Sequence, residues 1–281
     1  MDGAKSVWLI TGTTSGLGKR LVASVLARGD YVVAAERRLN RRSLELSLSE
    51  DDRGRLRWLE LDMDSDLQTV QGRVDEALGV WGRIDVLVNN AGSALPSTLE
   101  EGGSAAAIEQ FQTNVFGTLN VTNSILPHMR QRRFGTIIFV GSRMGWKCDI
   151  PVTFAETYAA ELRPFGIRVL IAIPGEFRVE GGIANSPCVS RQDIRDYDQV
   201  RVRVLPELAA KAEVRGDPVK GMSLLVDAVK GEGKAQGKEW ADYFVLGRTA
   251  YATVREKCWH LLKSLDAWQD VAEDLDFDHD E

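Results

Sequence analysis

Cysteine is scarce: three in 281 residues, Cys148, Cys188 and Cys258, an odd number at wide spacing. That pattern frames neither a disulfide scaffold nor a zinc site and fits reduced, structural thiols. Histidine is scarcer in arrangement than in number. His128, His260 and His279 stand apart with no i,i+4 pair, so a metal site or a Ser-His-Asp triad has no basis and no metal is expected. No run of about 18 apolar residues occurs, and the opening MDGAKSVWLITG enters a strand without the zones of a signal peptide. A cytoplasmic protein without a membrane partner is expected. Positive charge is not in excess either, the net charge being −6, which leaves no footprint for nucleic acid. The negative balance sits at one end: residues 266–281 hold eight acids and no Lys or Arg, against 35 bases and 33 acids before them.

What is present is an alternation of short apolar runs and helical patterns. Runs at Val7–Ile10, Tyr31–Ala35, Leu56–Leu61, Val86–Asn89, Thr136–Val140, Arg168–Ile173 and Tyr243–Leu246 predict seven strands. Most are continuously apolar, as strands covered on both faces are, which predicts a mainly parallel sheet. Between the first two, Leu17, Leu21, Val22, Val25 and Leu26 recur at helical spacing and Gly29 stands where a helix ends. Further helices are expected over 66–80, 105–132, 217–229 and 249–268. The reading is a Rossmann-like, doubly wound α/β fold, a seven-stranded sheet with helices on both faces, forming a single domain over residues 1–281. Residues 180–212, with no strand signal, are the expected substrate lid, and 266–281 the expected solvated acidic tail.

The segment WLITGTTSGLGKRL places Gly12, Gly16 and Gly18 between an apolar strand and an amphipathic helix. Gly12 permits the tight turn and Gly16 the approach of backbone to an anion. Gly18 lets the helix pack on the strand with its positive end aimed at the pyrophosphate of NAD or NADP. Thr13, Thr14 and Ser15 add hydroxyls, and Leu17 lies in the same cradle. At the end of the second strand an acid would bind the ribose 2′-OH and a base a 2′-phosphate. Glu36 and Arg37 stand side by side there, with Arg38, Arg41 and Arg42 close by. The basic cluster favours NADP through charge-assisted hydrogen bonds, with NAD as the alternative.

TGTTSGLG is followed by LDMD after the third strand, NNAG at 89–92, NVFG at 114–117, Ser142 in GSRMG, PG at 174–175 and GDP at 216–218. In this order the motifs resemble the short-chain dehydrogenase/reductase family over residues 5–275. The resemblance implies that Asp62 and Met63 hold the adenine, Asn90, Ala91 and Gly92 the adjoining ribose, and Pro174 and Gly175 the nicotinamide end. By residue type alone, Asp62 reads equally as a strand-end cap. The resemblance further implies hydride transfer between the nicotinamide and an alcohol or ketone. Four side chains would assist: a proton-carrying tyrosine, a lysine four residues later, a serine that orients the oxygen and an asparagine that holds a relay water. Ser142 and Asn114 match the last two as catalytic candidates.

The tyrosine and lysine have no counterpart. Thirteen residues after Ser142, where the family places the tyrosine, stands Ala155, and four further on Ala159. Tyr158 is near, but Leu162 follows it by four and its neighbours AETYAAELRPFGIRV match the later part of the family's helix. It reads as a packing residue. From Ser142 to Pro174 the chain spans 32 residues, where the family has about eleven more, close to three whole turns at about 3.6 residues each. A loss of that size shortens a helix by roughly 16 Å while keeping its facing. The join falls near VTFAET.

Three readings follow. The first is an NADP(H)-dependent oxidoreductase acting on an alcohol or ketone, with Lys147 or a displaced Tyr158 supplying the proton. The second is a non-catalytic cofactor binder that acts as a regulator or partner. The third is a misjoined gene model, which transcript sequencing across Phe154 and Ala155 would decide. Ser142 lacks the GxSxG elbow of a hydrolase. The family's pairing through the helices after the fourth and fifth strands makes a homodimer an expectation, weakened because the second of these helices is the one cut. Trp146, Phe177, Tyr197 and Trp240 line a pocket or fill the core.

Overall fold

A computed structural model describes residues 5–39, 48–94, 97–143, 151–180, 194–200 and 214–275. Seven strands form one sheet: β1 Val7–Thr11, β2 Tyr31–Glu36, β3 Leu56–Glu60, β4 Val86–Asn89, β5 Gly135–Val140, β6 Ile167–Pro174 and β7 Tyr243–Leu246. Their order is β3-β2-β1-β4-β5-β6-β7, and every neighbouring pair is parallel. The continuous apolar runs have the meaning expected of them. Along β1, Val7 and Leu9 enter one core while Trp8 and Ile10 enter the other, and none is more than 2% exposed.

Helices cover both faces: α1 Gly16–Leu26, α2 Glu50–Gly54, α3 Leu67–Trp81, α4 Leu99–Phe111, α5 Thr118–Arg132, α6 Pro151–Leu162, α7 Pro218–Lys230 and α8 Arg248–Ala272. Leu21, Val22, Val25 and Leu26 of α1 pack with Met222, Leu225, Val226 and Val229 of α7 on one face. On the other, Val121, Ile125 and Met129 of α5 join Ala155, Tyr158 and Leu162 of α6. The helix expected over 105–132 starts at Leu99 and contains a π-helical turn, Gln112–Gly117, before α5. Asp66 opens α3 by accepting the Thr69 N–H at 2.9 Å, a cap at the residue where periodicity placed the helix start.

The N-terminal ends of the strands are closed by two buried carboxylates. Asp30 accepts from Trp8 Nε1 at 3.2 Å and Lys230 Nζ at 2.9 Å. Asp85 accepts from the Val7 N–H at 2.9 Å and Arg132 at 2.7 Å. The opposite ends are where the strand order reverses, between β1 and β4, and there an open α/β sheet leaves its crevice.

Candidate active site

The crevice is built on Thr11. Its hydroxyl donates to the Val88 carbonyl at 3.3 Å and accepts the N–H groups of Asn90 at 3.0 Å and Ala91 at 2.9 Å, tying β1 to the end of β4. Asn90 answers with its Nδ2, which donates to the carbonyls of Thr11 and Gly12, both at 2.9 Å. Held this tightly, the turn has no room for side chains. Gly12 has φ +69° and a β-carbon there would lie 2.7 Å from the Ala91 Cα. One at Gly18 would overlap the Gly12 carbonyl oxygen.

Gly16 is different. It too has positive φ, +60°, but its missing β-carbon faces space, the nearest described atom being the Glu180 carbonyl oxygen at 3.9 Å. Ser15, at the N-cap of α1, makes no side-chain cap, so the first-turn N–H groups are left for another acceptor. An uncapped helix N-terminus above a glycine-lined hollow fits a pyrophosphate in charge and in shape. Leu17 contributes backbone to this end, while its side chain packs against the core.

Around the hollow the predicted residues are brought together. Thr13 is buried, and its hydroxyl lies 3.4 Å from Glu36 Oε1 and 3.3 Å from the Ala35 carbonyl. Glu36 is buried at the end of β2, while Arg37 and Arg38 are exposed beside it. Arg41 and Arg42 lie outside the described residues. Asp62 accepts the Asp64 N–H at 3.1 Å, the geometry of the strand-end cap that its residue type allowed. Met63 is buried with its backbone against Gly117, where a side chain would collide. The π-helical turn is thereby seated directly on the segment after β3, a distortion of a kind frequent at functional sites.

Asn114 lies in that turn. Its Oδ1 accepts the Ser93 N–H and its Nδ2 donates to the Ser93 carbonyl, both at 2.8 Å, with Gly92 beside it. The asparagine therefore splints the loop after β4. Ser142 lies two residues past the end of β5, half-buried. Next to it the Arg143 N–H donates to the Pro174 carbonyl at 3.1 Å and the Arg143 guanidinium pairs with Glu176. Gly175 packs against Thr249 at the start of α8, and its N–H donates to Leu246 at 2.8 Å.

Tyr158 is elsewhere. Its ring stacks on Phe139 at 5.8 Å, its hydroxyl donates to Asn123 Oδ1 at 2.7 Å, and burial above all raises its pKa beyond the ordinary tyrosine range. Ala155, at the position counted for the tyrosine, is fully buried in the same core. Lys147 and Trp146 lie outside the described residues. Phe177 and Trp240 pack against the core, whereas Tyr197 is bound through its hydroxyl to Glu100 at 2.8 Å.

A family model, short chain dehydrogenase, matches residues 6–185. The chain belongs to the short-chain dehydrogenase family. Among curated relatives, a 3-ketodihydrosphingosine reductase of Bacteroides thetaiotaomicron is 32% identical over 60% of this chain, which spans 63% of that relative. YusZ, an uncharacterized oxidoreductase of Bacillus subtilis, is 29% identical over 79% of this chain and 83% of its own length. A short-chain dehydrogenase from Streptomyces avermitilis has a solved structure that superposes with a TM-score of 0.84 at 26% identity, covering 98% of this chain and all of that one. A Burkholderia cenocepacia short chain dehydrogenase in complex with NADP shares the fold with a TM-score of 0.67 at 21% identity.

Two ion pairs of this short-chain dehydrogenase escaped the sequence reading. Arg20, one turn into α1, holds Glu180 through both guanidinium nitrogens, the second at 2.7 Å. Hydrogen bonding to Arg20 pulls the Glu180 carboxyl down to a pKa of about 2. The pair sits at the mouth of the glycine hollow, since Arg20 also donates to the Gly16 carbonyl at 3.1 Å. The second is Arg143 with Glu176. In each, one partner follows β6 and the other lies far earlier in the chain, so no local pattern signals the contact.

Proposed function

We propose that this chain binds NADP(H) at the C-terminal ends of β1, β2 and β4 and serves as an oxidoreductase of the short-chain type on an alcohol or ketone. The observation that carries this reading is the hollow at Gly16, open between a crowded Gly12 and Gly18 and facing an uncapped helix N-terminus. The amides of Gly16, Leu17 and Gly18, with Ser15 and Thr13 beside them, would hold the pyrophosphate. Asp62 and Met63 would border the adenine, Asn90, Ala91 and Gly92 the neighbouring ribose, and Pro174 and Gly175 the nicotinamide end. Exposed Arg37 and Arg38 would take the 2′-phosphate, while Glu36 is buried with the Thr13 hydroxyl beside it.

When bound, reduced nicotinamide would supply the hydride to the carbonyl carbon of a ketone, and the carbonyl oxygen would take its proton from solvent to give the alcohol. Ser142 would orient the reacting oxygen, and Asn114 would keep the loop after β4 in place through Ser93. Arg143, fixed by Glu176, would set a positive charge next to Ser142 in the chain. NADPH binding followed by fluorescence, paired with turnover across a panel of aldehydes and ketones, tests the proposal. Binding with turnover is the expected result; no binding of either dinucleotide would sink it.

A second reading is favoured by one observation, the burial of Tyr158 in the core with its hydroxyl given to Asn123. In that reading the chain holds the dinucleotide without turning over and acts through a partner. Tight NADPH binding with no reduction of any carbonyl in the panel would select it.

A further inference from the structure

Helix α8 is 25 residues, about 37 Å at 1.5 Å per residue. Only its start is anchored: Ala250 and Thr253 are buried and Val254 packs on the core. From Arg255 to Leu275 every residue is exposed. This free stretch nonetheless exposes large apolar side chains, Trp259, Leu262 and Val271 off to the sides and a continuous line between them. From Cys258 the seam runs through Leu261, Leu265, Trp268 and Ala272, in steps of three, four, three and four. Leu265 is 66% exposed and Trp268 65%. Sustained alternation of three and four is the repeat of a coiled-coil seam, and a helix of this length with a bare apolar line lacks its partner.

Charge along the helix says which partner. Arg248, Arg255, Lys257 and Lys263 stand in the first part against one acid, Glu256, while Asp266 and Asp270 stand in the last part and Glu273 and Asp274 just past its end, with no base among them. That order opposes the helix's own dipole, which favours acids at the start and bases at the end. It is complementary to one arrangement, a second copy of the same helix running the other way. The acidic end also argues against a lipid surface, because helices that lie in membranes carry Lys and Arg on the polar face.

We propose that α8 is a dimerisation arm through which two copies of this chain pair antiparallel. The two-fold axis falls at Lys263, so that Leu261 meets Leu265 of the second copy and Cys258 meets Trp268. The basic first part of each arm then lies along the acidic last part of the other. Such a pair is isologous and closes on itself, so it stops at two copies. The inference does not depend on the cofactor reading, because none of the residues proposed to hold the dinucleotide lies in α8.

The test is the mass of the full chain in solution by light scattering and sedimentation. A dimer is expected, and Leu261→Asp combined with Leu265→Asp should weaken it about tenfold or more. Both side chains are exposed in the single chain, so circular dichroism of the variant should match the parent. Direction is read by oxidation of a Trp268→Cys variant, which should cross-link Cys258 of one copy to position 268 of the other. A monomer at every concentration overturns the proposal, as does a dimer that survives both aspartates, the outcome expected of pairing through α5 and α6. Cross-linking of Cys258 to Cys258 overturns the antiparallel order. Binding to phosphatidylserine vesicles that is lost with the two aspartates would assign the seam to a lipid surface instead.

Discussion

Arg20 and Glu180, 160 residues apart in the chain, meet as a bidentate ion pair at the mouth of the glycine hollow. A carboxylate placed beside an anion site opposes the anion, and it occupies the cation best located to receive it. Replacing Glu180 with Gln should therefore tighten dinucleotide binding. Glu180 is 68% exposed, and exposed pairs are worth about 0.2–1 kcal/mol, so the gain should stay within about fivefold and vanish at high salt. The pair depends on pH in one direction only. Arg20 lowers the Glu180 pKa from 4.5 to about 2, so the contact is complete above the ordinary carboxylate value and is lost as pH falls from there through 2. Affinity titrations in two salt concentrations check both statements; weaker binding by the Gln variant would show that Glu180 helps to hold the ligand.

Gly18→Ala should abolish dinucleotide binding and lower the melting temperature. The added methyl overlaps the Gly12 carbonyl, and overpacking a tight site costs about 1–3 kcal/mol. Gly79→Ala is the matched control. Its β-carbon would meet nothing within 4 Å on the exposed side of α3, so that variant should gain about 0.5–1 kcal/mol and bind normally. Calorimetric melting with and without NADPH separates the two; normal binding by Gly18→Ala would remove the cradle from the site.

Arg37→Glu should raise the dissociation constant for NADPH while leaving NADH nearly unchanged. A hydrogen bond to a charged group contributes about 1.5–3 kcal/mol, which corresponds to about tenfold or more in affinity. Equal losses for both cofactors would mean that Arg37 does not read the 2′-phosphate.

These expectations divide along a physical line. The sheet was legible because a strand buried on both faces has to be apolar throughout, as Val7–Ile10 is, and the glycine turn because crowding at Gly12 and Gly18 leaves glycine as the one residue that fits. Asn114 was legible as a motif, but its splinting of Ser93 was not, since the partner is a backbone and leaves no side-chain signature. Arg20 with Glu180 and Arg143 with Glu176 were hidden for another reason. Each joins residues brought close only by the winding of the sheet, and single charges on a loop look alike whether paired or solvated.

Tyr158→Phe tests whether the remaining tyrosine near the join has any part in chemistry. Its hydroxyl donates to the exposed Asn123 at 2.7 Å, an acceptor that water can reach, so losing the bond should cost about 0.5–1.5 kcal/mol of stability. Cofactor affinity and any turnover should be unchanged. Alkali adds a second readout. Because burial raises the Tyr158 pKa above 10, the folded chain keeps a proton that the unfolded chain has lost, so stability falls as pH rises past that value. The Phe variant should lose less stability there, measured by urea unfolding at neutral and alkaline pH. A fall in turnover at unchanged stability would place Tyr158 in the reaction.

On the second reading, in which the chain binds NADPH without turnover, insertion of a YxxxK-bearing segment of about eleven residues, about three turns, after Phe154 should supply the proton transfer that is missing. The insertion point precedes Ala155, Tyr158 and Leu162, the residues by which α6 holds the core. Whole turns keep that stripe facing inward, so the packed part of α6 has no reason to shift. The added turns extend the helix toward the end of β5, just past which Ser142 stands. Restored proton transfer is worth about 10²–10⁴-fold in rate, so carbonyl-dependent oxidation of NADPH should rise from background by a factor in that range. The Tyr→Phe form of the inserted segment should return the rate to background with the same melting temperature and the same affinity for NADPH. If the inserted chain melts as the parent does, binds NADPH and still turns over nothing, then absence of the pair is not what silences the site, and the cause lies in the ordering of Ser142 and Arg143 instead.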